Sequence, residues 1–129
     1  MPSVKRHYQL AIVGSGSGGR EAALVAAKEG LKVLLIEKDT LGGTCLHHGC
    51  YPVRALRACA EATKDRQRGA KYGLENGGTP AGFEKWLTVQ RRVSARLTQE
   101  VNNQMERAGV SVRFANASLT APNQLHIAS

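Results

Sequence analysis

An α/β fold built on a βαβ unit with parallel strands is predicted by three features of this sequence. Residues 7–13, HYQLAIV, form a short apolar run that ends in glycine, as a buried strand does. An alanine-rich stretch, SGGREAALVAAKE at residues 17–29, has strong helix formers throughout. A second apolar run, LKVLLIE at residues 31–37, then completes a strand, helix and strand within about thirty residues.

The remaining elements follow in order. Gly30 stops the first helix as a C-terminal cap, and a right-handed crossover would leave the two flanking strands parallel. Pro52 suits the first turn of a helix, where no N–H is needed, so residues 53–68, rich in Ala, Leu and Arg, read as the second helix. Residues 72–82, YGLENGGTPAG, are turn-rich and expected to be an exposed connection. Beyond them Trp86, Val89, Val93, Leu97, Val101 and Met105 recur every three or four residues, which predicts a long amphipathic helix capped near Gly109, with Trp86 and Met105 in the core. VSVRFA (110–115) and QLHIA (124–128) read as two terminal strands separated by Ala121-Pro122-Asn123, and residues 1–6 as a loose end.

Composition narrows the function classes. At 129 residues the chain is about one domain. Eighteen Lys and Arg against ten Asp and Glu give a net charge of +8. The basic residues are spread among acids along helical stretches, and aromatics make up only 5%, too few for base stacking, so no nucleic-acid partner is expected. A solvated basic face, or one that guides anionic ligands, fits better. Three cysteines without a secretory signal, and an apolar run at residues 10–13 far too short to span a membrane, lead to the expectation of a soluble cytoplasmic protein with no membrane partner.

Gly14-Ser15-Gly16-Ser17-Gly18-Gly19 fits G-x-G-x-x-G directly after a strand and opening a helix. The first glycine permits a tight turn, the second lets backbone approach a pyrophosphate, and the third lets helix and strand pack closely. The helix N-terminus favours the negative charge. Glu37 ends the second strand eighteen residues after Gly19, where a carboxylate can accept from both ribose hydroxyls and would repel a 2′-phosphate. That pattern points to FAD or NAD. No Gly-Lys-Ser/Thr follows the glycines, which excludes a P-loop.

Cys45 and Cys50 stand five positions apart in LGGTCLHHGCYPVRAL, residues 41–56, and three readings apply: a metal site, a structural bridge or a redox couple. Cys-x-His-His-x-Cys has poor spacing for structural zinc, which draws on two separated ligand pairs, and the chain has no second pair, so no metal is expected. Along a regular helix five residues separate Cα atoms by about 8.6 Å, beyond the roughly 7 Å that a disulfide spans. A bond therefore needs a distorted segment, or Cys45 ahead of the regular helix, with Gly49 giving the backbone that freedom. A small strained loop would also make the bond easier to reduce. Cys59, on the following helix, reads as an inert buried thiol, and His47 and His48 as loop residues facing solvent or substrate.

Taken together, the glycine loop, Glu37 and G-G-T-C-L-x-x-G-C-x-P at residues 42–52 resemble the class I pyridine nucleotide-disulfide oxidoreductase family, and the cysteine segment is most similar to its dihydrolipoamide dehydrogenase and mercuric reductase branch. The resemblance implies a Rossmann-like FAD-binding fold and a flavin-dependent dithiol/disulfide oxidoreductase that passes electrons between a nicotinamide, FAD and the cysteine couple. It makes Cys50 the flavin-side thiol and Cys45 the thiol that exchanges with a disulfide or dithiol substrate. It assigns the FAD pyrophosphate to Gly14, Gly16, Ser17, Gly18 and Gly19, the adenosine ribose to Glu37, further cofactor contacts to Lys38, Gly43 and Thr44, and the adenine to backbone at Ala117. Arg54 stands where the family has a lysine near flavin N5, within Pro52-Val53-Arg54 in place of Pro-Ser-Lys, and His47 replaces the usual asparagine.

Family members are several times longer. Residues 1–129 are accordingly expected to be the N-terminal part of an FAD-binding domain, with the NAD-binding and dimer-interface domains absent and no turnover alone. NAD or NADP and a homodimer are expected of a full-length relative. The alternative expectation is a non-catalytic dinucleotide-binding or thiol redox-sensing module.

Overall fold

The computed structural model describes residues 7–74 and 82–128. Its elements are β1 (Leu10–Val13), α1 (Ser17–Lys28), β2 (Val33–Glu37), α2 (Gly43–His47), α3 (Cys50–Gly69), a 3-10 turn (Ala70–Tyr72), α4 (Phe83–Arg107), β3 (Ser111–Phe114), β4 (Asn116–Ala121) and β5 (Gln124–Ala128). They divide into two compact units, one made of residues up to 43 together with those from 98 onward, the other of residues 44–97.

The first unit is an α/β layer. β1, β2 and β3 form a parallel sheet in that order, with Leu10 opposite Val33 and Leu34 opposite Ser111. β2, flanked on both sides, buries all five of its residues, which is why VLLIE is a continuous apolar run up to its final acid. β1 was expected to be buried as well, but among the described residues it pairs only with β2, its side chains alternate between half-buried and exposed, and Val13 is 54% exposed. Pairing on one side only leaves its other flank without a strand among those residues.

α1 packs on β1 and β2 and buries Ala23 and Ala26, small side chains that bring helix and sheet close. It ends as the sequence predicts. Gly30 takes φ +82°, its N–H donates to the Ala27 carbonyl at 3.0 Å and Leu31 N–H donates to the Ala26 carbonyl at 3.1 Å, a Schellman pair. The same pair closes α4, where Gly109 has φ +71° and the N–H groups of Gly109 and Val110 donate to the Glu106 and Met105 carbonyls.

Within α4 the apolar stripe is buried only toward its C-terminal end. Met105 and Val101 are at most 2% exposed, whereas Val89 is exposed and Trp86 half-buried, edge-on to Phe83 with ring centroids 6.3 Å apart. Trp86 is therefore not a core residue as expected. The terminal segment also differs, with three strands in place of two. β3 joins the parallel sheet, and β4 pairs with β5 as an antiparallel hairpin in which Ala121 faces Gln124 across Pro122-Asn123. NASLTA lacks the apolar alternation that would announce a strand, and its exposure pattern is correspondingly weak.

The second unit is helical. α3 begins at Cys50 and carries Pro52 in its first turn, and its expected span of 53–68 falls inside the observed one. Of the expected connection at 72–82, Tyr72, Gly73, Leu74 and Gly82 are exposed; residues 75–81 lie outside the described residues, as do 1–6. No helix among the described residues is long and apolar enough to cross a membrane.

Candidate functional site

The glycine loop in the first unit has the backbone geometry that its pattern predicts. Gly14 takes φ +95° and its N–H donates to the Ile36 carbonyl at 2.7 Å, which fastens the turn to the end of β2. A Cβ on Gly19 would run into the Gly14 carbonyl oxygen, so only glycine lets α1 start this close to β1. Space beside Gly16 and Gly18 is open. α1 starts at Ser17 with Gly16 as its cap, without a side-chain cap bond or an acid in its first turn. Its leading N–H groups are thus left for an external acceptor, the condition for seating an anion.

Glu37 ends β2 at 8% exposure. Its Oε2 accepts from the Ser15 N–H at 2.9 Å and the Ser15 hydroxyl at 2.6 Å, and its Oε1 accepts from the Asp39 N–H at 3.1 Å. Burial pushes the carboxyl upward, but the Ser15 hydroxyl and amide and the Asp39 and Lys38 amides outweigh it and hold Glu37 below its ordinary value. The group is a buried, stabilised anion. Ser15 Oγ also accepts from the Gly42 N–H at 3.0 Å. Next in the chain, Gly43 has φ +66°, and a Cβ there would lie 2.6 Å from Gly16 Cα. Backbone therefore meets backbone where the glycine loop touches the start of the cysteine segment.

Sequence reading missed Ser15, because the glycine pattern treats that position as free; the nearest signal was a hydroxyl residue between two glycines that precede a carboxylate-ended strand.

A cleft of about 230 Å³ opens at the C-terminal ends of β1 and β2, lined by Val13, Gly14, Ile36, Glu37, Lys38 and residues 115–117. Four expected site residues, Gly14, Glu37, Lys38 and Ala117, converge there. Ligand pockets commonly run to about 300–1,000 Å³, and this cleft falls below that range. It sits outside the carboxyl ends of parallel strands, the usual place for a nucleotide in an open α/β sheet. Gly16, Ser17, Gly18 and Gly19 do not line it; they form the adjoining loop and the first turn of α1.

In the second unit Cys45 and Cys50 are joined by a disulfide. Cys45 lies in the five-residue α2 and Cys50 is the first residue of α3, and the break at His48-Gly49 brings their Cα atoms to 4.9 Å. Cys45 thus precedes the regular helix. Gly49 serves differently from the expectation: it does not adopt a positive φ, and its value is its size, since a Cβ there would lie 3.3 Å from the Thr44 carbonyl oxygen and 3.4 Å from Cys45 Cα. Ser94 of α4 donates its hydroxyl to the Leu46 carbonyl at 3.2 Å, which anchors the middle of the segment. Cys50 is exposed and Cys45 half-buried, while Thr44 and Arg54 are exposed. Cys59 is a free thiol, half-buried rather than buried. His47 closes α2 and His48 is exposed, and no group of three or more metal-ligating side chains exists among the described residues.

A sequence model described as pyridine nucleotide-disulphide oxidoreductase matches residues 8–126. The chain belongs to that family. Relatives within reach of this pyridine nucleotide-disulphide oxidoreductase segment include a dihydrolipoyl dehydrogenase of Bacillus subtilis, 36% identical over 116 residues, which cover 90% of this chain and 24% of the relative. Another, from Chlorobaculum parvum, is 35% identical over 92% of this chain and 25% of the relative, and one from Zymomonas mobilis is 34% identical over 92% and 26%. The chain spans about a quarter of the length of these curated relatives.

Proposed function

We propose that this chain is the FAD-holding and disulfide-bearing part of a flavin-dependent dithiol/disulfide oxidoreductase of the dihydrolipoyl dehydrogenase kind. The observation that carries the proposal is the Cys45–Cys50 disulfide, closed across a helix break with Cys50 exposed, in a chain of this family that also opens a cleft at the carboxyl ends of its parallel strands.

The residues present suit FAD. The uncapped start of α1 and the open space at Gly16 and Gly18 fit a pyrophosphate, with Gly14 and Gly19 shaping the turn and Ser17 opening the helix. Glu37, a stabilised anion lining the cleft, fits the hydroxyls of a ribose, and Lys38 and the backbone at Ala117 border the same space. Gly43 and Thr44 are assigned to the cofactor by resemblance to the family motif at residues 42–52, and Arg54 stands where the family has a lysine near flavin N5. When bound, FAD supplies two-electron transfer between a nicotinamide and the disulfide.

The cysteines' own chemistry is thiol–disulfide exchange. A substrate thiolate attacks Cys45 Sγ, the Cys45–Cys50 bond breaks, and Cys50 leaves as a thiolate with the bonding pair. The second substrate thiolate then attacks the substrate sulfur of the mixed disulfide, so that substrate departs oxidised and Cys45 departs as a thiolate. Two electrons have entered the couple and two protons the solvent. In a full-length relative the partner reactants are NAD or NADP and a dithiol or disulfide substrate, and the working unit is a homodimer.

The test is the visible spectrum of the chain after FAD is added and free flavin removed, before and after anaerobic dithiothreitol. Retained flavin with a new long-wavelength band on reduction is expected. Cys50→Ser should abolish the band and Cys45→Ser should keep or strengthen it; identical spectra in the two variants would overturn the assignment of roles.

A further inference from the structure

Ser15 is completely buried and does not line the cleft, so it cannot touch what the cleft holds. Its N–H and hydroxyl are nevertheless aimed at the buried carboxylate of Glu37 and at the corner that follows it. The Ser15 N–H and hydroxyl both donate to Glu37 Oε2, at 2.9 and 2.6 Å. Because the Gly42 N–H, 3.0 Å from Ser15 Oγ, can only donate, it takes an oxygen lone pair, and the single hydroxyl proton is directed at Glu37. The carboxylate is thereby held from the Ser15 side on one oxygen and from the Asp39 N–H on the other. Its plane is fixed, and as an ionised group it can only accept.

We propose that Ser15 is a positioning residue that sets the site's selectivity for a ribose diol, by locking the Glu37 carboxylate into one orientation as a hydrogen-bond acceptor facing the cleft. The proposal rests on the nucleotide reading of that cleft. A fixed acceptor rewards a ligand that brings hydroxyl donors and gives nothing to one that lacks them. Without the Ser15 hydroxyl, Glu37 keeps the Ser15 amide bond but loses the shorter of the two contacts on Oε2 and is freer to turn.

The experiment is calorimetric titration of the chain, and of its Ser15→Ala variant, with ADP and with 2′-deoxy-ADP. The wild-type chain is expected to prefer ADP by roughly tenfold, the size of a hydrogen bond to a charged group. Ser15→Ala should still bind ADP but with the preference reduced to about threefold or less. Partial unfolding of the variant lowers both apparent affinities by the same factor and leaves their ratio untouched. An undiminished preference in Ser15→Ala overturns the inference while leaving Glu37 as the ribose ligand. A wild-type chain that binds neither nucleotide overturns the nucleotide reading and this inference with it, whereas one that binds both equally overturns this inference and the assignment of Glu37 to the ribose hydroxyls while leaving a nucleotide site in place. Glu37→Leu should abolish the preference, which ties the readout to the carboxylate.

Discussion

Glu37 is a buried carboxylate whose hydrogen bonds outweigh the upward push of burial. Donors from Ser15, Asp39 and Lys38 hold its folded-state value below the ordinary 4.5. A carboxylate depressed in this way contributes stability above its unfolded value, and that contribution is lost as the pH falls through the folded one. Glu37→Gln should therefore destabilise the chain at pH 7, with the difference shrinking below about pH 4.5, as read from denaturation midpoints across pH 3 to 7. A constant difference across that range would show that the charge is irrelevant. Glu37 was legible in the sequence because a strand ending in an acid at a set distance from a glycine loop is a strong pattern. Ser15 was not, since hydrogen bonds to a side chain 22 positions away leave no periodic trace.

At the scale of elements, whatever has a period or a punctuating glycine was readable: β2, α1 with Gly30, and α4 with Gly109. The five-residue α2 is shorter than two helical turns, and β4 is polar, so neither carries enough pattern to register. The disulfide depended on that unreadable break between α2 and α3. Closing so short a ring removes about 2 kcal/mol of chain entropy from the unfolded state in the loop-closure account. Reduction by dithiothreitol should lower the denaturant midpoint by a corresponding amount without altering the slope of the transition. An unchanged midpoint would mean that the bond contributes chemistry and no stability.

Over the whole molecule the +8 charge is unevenly distributed: residues 44–97 hold ten Lys and Arg against four Asp and Glu, and the rest holds eight against six. The field of a basic protein favours a pyrophosphate wherever it binds, and salt screens that field within about 10 Å at 0.1 M. FAD binding should accordingly weaken a few-fold between about 0.05 and 0.5 M salt, measured by flavin fluorescence titration; an insensitive affinity would confine recognition to short-range contacts. The order of strands in the sheet follows from βαβ logic for β1 and β2. The return of β3 to the far side of β2 does not, because nothing local in residues 111–114 names a partner so distant in sequence.

That distance bears on how the chain is made. β2 ends at Glu37 and its second neighbour begins at Ser111, so a ribosome adding about 5–20 residues per second leaves one flank of the central strand unpaired for roughly 4–15 s. Both cysteines are synthesised within that interval. The ring of Cys45 and Cys50 is thus complete in sequence while that flank of β2 is still unpaired.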